Sequence, residues 1–144
     1  MEQQSYAKHG RLVPMFHFVL FGLVVVAVIM SLINLYKHMG DDQGRTMIVL
    51  VVLLSIGELM MFFFIRGFAT KNQDRIIRTE ENFRHYVLAG RVLDPRLTVD
   101  QIIGLRFASD GEFVDLAKKA ADEGLSRDAI KKAVKQWRPD HNRV

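Results

Sequence analysis

Two long apolar runs organise the first half of this chain, and short amphipathic stretches organise the second. Leu12 to Tyr36 is 25 residues without Asp, Glu, Lys or Arg, and Thr46 to Ile65 is 20 residues interrupted by one charge, Glu58. A helix rises about 1.5 Å per residue, so roughly 20 apolar residues cross the ~30 Å hydrocarbon core of a bilayer. Both runs therefore predict transmembrane helices, over 14–36 and 46–67. Backbone in hydrocarbon must satisfy its own hydrogen bonds, and the chain has no barrel-like succession of alternating strands to compete with helices. Pro14 suits an opening turn, where its missing N–H would be unpaired anyway. Tyr36 and Lys37 mark an interface. Residues 37–45 supply a glycine-containing external turn, which makes the pair a hairpin. A cleaved signal peptide fits badly, because the first run exceeds the about 7–15 apolar residues of such a region and no small-residue cleavage site follows.

Beyond the second run the pattern changes. Phe68 to Leu88 holds no proline or glycine, and Ile76, Ile77, Phe83 and Val87 recur at helical spacing. The second span is expected to continue as one long helix to near Gly90. Three short helices should follow. Thr98 with Gln101 and Ser109 with Glu112 read as capping boxes, Ser126 as a cap, and Leu97 with Ile102 and Leu125 with Ile130 as hydrophobic staples. Gly124 stops the middle helix as a left-handed C-terminal cap. Each helix carries an apolar stripe it cannot hide alone: Ile102, Ile103 and Phe107; Phe113, Leu116, Ala117 and Ala120; Ile130, Ala133, Val134 and Trp137. The expected fold is all-α, a transmembrane hairpin whose second helix extends into the cytoplasm, followed by a small bundle of three short helices closed by Trp137. Residues 1–13 form an N-terminal segment and 68–144 a cytoplasmic helical domain.

Charge sets the orientation. Lys8, Arg11, Arg66, Lys71, Arg75, Arg78 and Arg84 flank one side of the hairpin, whereas the turn side holds Lys37 and Arg45. Basic residues are retained on the cytoplasmic side, so both termini are expected there, with the turn outside or in the periplasm. From Arg66 onward lie 16 of the 20 basic and 12 of the 16 acidic residues, for a formal net charge of +4 overall. The absence of cysteine excludes disulfides, thiolate metal sites and cysteine nucleophiles.

The runs His85-Tyr86-Val87-Leu88, Leu93-Asp94-Pro95-Arg96-Leu97-Thr98, Gln101-Ile102-Ile103, Leu105-Arg106-Phe107-Ala108-Ser109-Asp110 and Ile130-Lys131-Lys132 to Trp137-Arg138 resemble a family of small bacterial membrane proteins. The resemblance covers most of the chain. It implies two spans with a helical cytoplasmic tail and a bacterial source. The family is uncharacterised, so it transfers no catalytic or binding residue.

Candidate chemistry is sparse. A carboxylate within a span costs about 2.5 kcal/mol or more, so Glu58 should face protein or water. At the helical rise it sits roughly 10 Å inside the boundary near Ile65, and His17 about 5 Å deep in the same half. A His17 to Glu58 hydrogen bond is expected, with Ser55 one turn away. His17, among Phe16, Phe18 and Phe21, also has the chemistry of an axial ligand for haem or chlorophyll, although a lone histidine is weak evidence and no cofactor is required. Glu58 would serve a small ion-coupled oligomer, but such a pathway needs more polar groups than Ser31 and Asn34 add. Lys131, Lys135 and Arg138 fall at i, i+4 and i+7 on the last helix. With Arg66, Lys71, Arg75 and Arg78 they suit anionic lipid headgroups or a partner, and interleaved acids argue against nucleic acid. No phosphate loop, nucleophile elbow or acid–base pair appears, and no enzyme is expected. The sequence reads best as an accessory subunit docking on a larger integral-membrane complex. A homo-oligomer, or a cofactor-binding subunit of a photosynthetic or electron-transfer complex, is the alternative.

Overall fold

The computed structural model describes Tyr6 and residues 12–38, 40 and 44–140. Among these the chain is all-helical. Helix α1 (Phe21–Lys37) is entered without a break through a π-helical turn, Met15–Leu20. Helix α2 (Arg45–Ala89) is continuous over 45 residues. Then come α3 (Val99–Leu105), α4 (Asp110–Glu123) and α5 (Arg127–Ala133). The helix α1 with its π-turn and the helix α2 are long and apolar enough to cross a membrane. Two compact units divide the chain, one of residues 12–69 and one holding Tyr6 and residues 70–140. The basic residues Lys8 and Arg11 and the acids Asp41 and Asp42 lie outside the described residues.

In the first unit the helices pair antiparallel, since Phe16 meets Phe62 near one end and Ser31 meets Ser55 towards the other. The covered side chains on α2 in this unit include Ile48, Val52, Ser55, Leu59, Phe62 and Arg66. Their alternating steps of four and three define a narrow seam of coiled-coil type. Most of the remaining side chains are large, apolar and exposed, among them Leu23, Met30, Leu54, Met61 and Ile65.

In the second unit a core of Leu93, Leu97, Ile102, Leu105, Phe113, Leu116, Ala117, Ala120, Ile130 and Val134 gathers the three short helices. Local signals begin α3, α4 and α5 and end α2 and α4 as the sequence predicts. Gly90 adopts φ +68° and its N–H bonds the Tyr86 carbonyl, which closes α2 where only glycine turns left-handed without strain. Gln101 donates its backbone N–H to Thr98 Oγ1 at 3.3 Å and accepts the Thr98 N–H on Oε1 at 2.8 Å. Glu112 reaches back to the Ser109 amide at 3.4 Å, and Ser126 Oγ accepts from Ala129 at 3.2 Å. Gly124, at φ +61°, caps α4.

Two expectations about faces need correction. Ile76, Ile77, Phe83 and Val87 do not share a face: Ile77 is buried, whereas Ile76, Phe83 and Val87 are exposed. Nor does the last helix reach Trp137. It ends at Ala133, with Val134 extended, so Lys131, Lys135 and Arg138 form no common helical face. In a continued helix the amides of Lys135 and Gln136 would bond carbonyls four residues back. They donate instead to the Glu112 carboxylate at 3.1 and 3.0 Å, while Arg138 donates to the Phe107 carbonyl at 2.8 Å and Ser109 to that of Gln136 at 3.1 Å. Trp137 is thereby bridged to Ala108, and its ring packs on Phe107.

Helices α3 and α5 approach closely at Gly104, where an added Cβ would meet the Arg127 carbonyl at 3.1 Å and Ile130 Cγ2 at 3.3 Å. Ile130 is fully buried and the carbonyl is backbone, so neither gives way easily. Alanine's helix propensity offers about 1 kcal/mol, against about 1–3 kcal/mol for overpacking. Gly104→Ala is expected to lower stability by about 1 kcal/mol, read as a lower Tm of the detergent-solubilised protein. An unchanged or higher Tm would show that α3 and α5 separate freely.

Candidate functional site

The hairpin unit holds the polar groups on which the sequence reading concentrated, and it arranges them differently. Ser31 and Ser55 are buried between the helices with their hydroxyls 2.9 Å apart. Each hydroxyl also reaches a carbonyl of its own helix, Val28 at 2.8 Å and Val52 at 2.9 Å. One serine thus donates across the seam while the other donates within its helix.

His17 and Glu58 do not meet. Phe16, next to His17, stacks on Phe62 at 4.5 Å between centroids, one helical turn or roughly 6 Å along α2 from Glu58. Side chains also lean towards their helix N-terminus, which draws these two apart on antiparallel helices. The His17 Nδ1 pairs instead with the backbone of Val13, 3.0 Å from its carbonyl oxygen. Glu58 is exposed on the flank of the seam and has no hydrogen bond or ion pair among the described residues. Ser55, grouped with them from the sequence, belongs to Ser31. The rings expected around a macrocycle are used in packing: Phe16 and Phe21 both lie against Phe62, Phe21 also faces Phe63, and Phe18 is exposed.

The second unit contains a buried ionic network that the sequence reading missed. Glu81 and His85 are each 5% exposed on the α2 face that bears Ile77. Arg84 donates to Glu81 at 3.0 Å, to Asp110 at 2.7 Å and to the Ala108 carbonyl at 2.8 Å, and its guanidinium lies 4.3 Å from the Phe113 centroid. His85 Nδ1 lies 2.6 Å from the Arg91 carbonyl and its ring sits edge-on to Phe113. Arg138 approaches Glu81 at 3.7 Å. The signal was the i, i+4, i+7, i+8 spacing of Ile77, Glu81, Arg84 and His85, which places charged residues on an inward face. Fixed by these partners, the network fastens the short helices to α2.

Other charged side chains are also structural. Lys131, read as surface charge, is buried with its ammonium 5.6 Å from the Phe107 centroid, and Arg106 lies 4.6 Å from the same ring while pairing with Asp140 at 3.2 Å. Arg96 joins Asp94 and Asp122, each at 2.8 Å, and its hydrogen bonds hold the Asp94 pKa down at about 2. Gln101 extends beyond its cap, donating Nε2 to the Leu125 carbonyl at 2.9 Å and the Ala120 carbonyl at 3.3 Å. Tyr6 donates its hydroxyl to Asp128 at 2.5 Å, and Lys132 pairs with that carboxylate at 2.8 Å. Lys71, Arg75, Arg78 and Lys135 remain exposed, with Arg66 half-buried. Among the described residues no three His, Asp or Glu side chains are placed to hold one metal ion.

The fold and these sites define an all-helical protein with two long apolar helices and a small, ionically fastened helical unit. It belongs to a family of unknown function, DUF6526, whose model matches residues 1–144. No curated protein and no solved structure matches the chain.

Glu112 ties the cap of α4 to the strand-like exit of α5. Burial would raise its pKa, but the amides of Gln136, Lys135 and Ser109 together outweigh this and hold it below the ordinary carboxylate value. A group depressed in the folded state stabilises above its unfolded pKa, and that contribution is lost as pH falls through the folded one. Glu112→Gln should cost about 1–2 kcal/mol at neutral pH, the scale of hydrogen bonds to a charged group. The difference from wild type should shrink below about pH 4, where unfolded carboxylates protonate. Denaturation of both proteins across pH 3–7 (on the order of the carboxylate range) measures this, and a difference independent of pH would refute the assignment.

Proposed function

We propose that this protein is a non-enzymatic integral-membrane subunit of the bacterial cytoplasmic membrane that docks laterally on a larger membrane protein complex. Its helical tail covers part of that complex on the cytoplasmic side. The observation that carries the reading is Glu58. It lies on an apolar helix, outside the hairpin seam, among exposed Leu54, Met61 and Ile65, and has no partner among the described residues. Lipid is a poor environment for it, at about 2.5–3.5 kcal/mol on insertion scales, and the hairpin supplies no group to relieve that cost. A polar side chain on a neighbouring membrane helix would do so.

Further support comes from the second unit. Tyr6, near the N-terminus, contacts Asp128 on α5, which agrees with both chain ends lying on one side. The excess of Lys and Arg on that side makes it the cytoplasm. Exposed Lys71, Arg75 and Arg78 sit just beyond the apolar run, where anionic headgroups attract basic side chains at about 1 kcal/mol each. Many charged residues of the tail are tied into structural pairs, among them Arg84, Arg96, Arg106 and Lys132.

Extraction in mild detergent tests this directly. The wild-type chain is expected to copurify with at least one other membrane protein. Glu58→Leu should weaken that association roughly tenfold, the equivalent of the about 1–2 kcal/mol measured for interhelical polar contacts in model peptides, without lowering its Tm. A wild-type chain recovered as a solitary monomer from native membranes, or in full without detergent, would overturn the proposal.

A further inference from the structure

We infer that the outward face of α2 beyond Thr70 is a parallel dimer seam, filled by the same face of a second copy of this chain. Asn72, Ile76, Thr79, Phe83 and Tyr86 follow one another by steps of four and three, the a/d spacing of a two-stranded coiled coil, and all are exposed. Ile76 is 57% and Phe83 69% exposed. The opposite face of the same helix, with Ile77, Glu81, Arg84 and His85, is committed to the short helices, so this stripe is not needed by its own unit. Thr79 donates its hydroxyl to the Arg75 carbonyl at 3.1 Å, which leaves its methyl group for the seam.

Charge complementarity identifies the occupant. Arg75 falls at a g position and Glu80 at the e position of the following heptad. In a parallel pair, g faces e of the next heptad on the partner, so each Arg75 meets the other copy's Glu80, twice by symmetry. Neither side chain enters an ion pair among the described residues, and residues five apart on one helix do not face each other. An antiparallel pair would lose this match. A lipid surface is a poorer occupant, because the acidic Glu80 borders the stripe where anionic headgroups favour cations. The parallel direction rests on the membrane reading above, since copies inserted in one orientation present their α2 helices in the same sense.

The absence of native cysteine makes the test clean. Single variants Ile76→Cys, Thr79→Cys and Phe83→Cys are oxidised with copper–phenanthroline in native membranes, beside Arg78→Cys and Leu88→Cys as exposed positions off the stripe. Disulfide dimers are expected at 76, 79 and 83 at least several-fold above 78 and 88. In the Thr79→Cys background, Arg75→Glu should reduce the dimer several-fold, and adding Glu80→Arg should restore it. Circular dichroism and membrane recovery check that each variant folds. Equal crosslinking at all positions, no dimer, no rescue by the double reversal, or a crosslink to a different protein overturns the inference. If the chain fractionates without detergent yet keeps the position-dependent dimer, the membrane reading fails and the seam stands. If it stays in the membrane without such a dimer, the seam alone fails.

Discussion

Helices of seven residues do not persist in water on their own, and the C-terminal unit contains two of them, α3 and α5. Their existence depends on burying one stripe each against one another and against α4. That constraint explains why the unit is so densely tied. Gln101 caps α3 and at the same time satisfies carbonyls at the end of α4, so the two helix ends form together. Glu112 caps α4 and captures the amides that follow α5. Each of these polar side chains joins two elements, and losing one loosens both.

The ionic network on α2 follows from the same need. Glu81, Arg84 and His85 occupy positions where an ordinary amphipathic helix would place leucines. Replacing buried ion pairs by apolar residues is often neutral or stabilising, so stability alone does not account for them. Arg84 reaches two carboxylates, a carbonyl and an aromatic face, which fixes one arrangement of the short helices out of those that burial alone would permit. A defined inner face leaves a defined outer face. The stripe proposed as a dimer seam is a consequence of that commitment.

The hairpin follows a different logic. Its seam is narrow, small and weakly polar, with a serine pair at its middle and an aromatic cluster at one end. In an apolar solvent the driving force between helices is packing and hydrogen bonding, and small hydroxyl residues allow close approach. The large apolar side chains point outward, the reverse of a water-soluble helix pair. Glu58 interrupts that outward surface once. Packing and a serine pair hold the two helices together, and Glu58 takes no part in that seam among the described residues.

Local chemistry was legible in the sequence. The ends of α2, α3 and α4 are written in Gly90, Thr98 with Gln101, Ser109 with Glu112, and Gly124, because caps act within four residues and need no knowledge of the rest of the fold. The apolar runs were equally plain, since length and composition suffice. Tertiary structure decided which partners these elements choose. Ser55 found Ser31 on the other helix, a choice that depends on the axial register of two helices that sequence spacing leaves free to slide. Helix α5 stopped at Ala133 because amides 23 and 24 residues away from Glu112 go to its carboxylate. Lys131 was withdrawn from the surface by the ring of Phe107. A helical period marks a face, but what that face meets is settled by contacts far apart in the chain, and no local signal carries them.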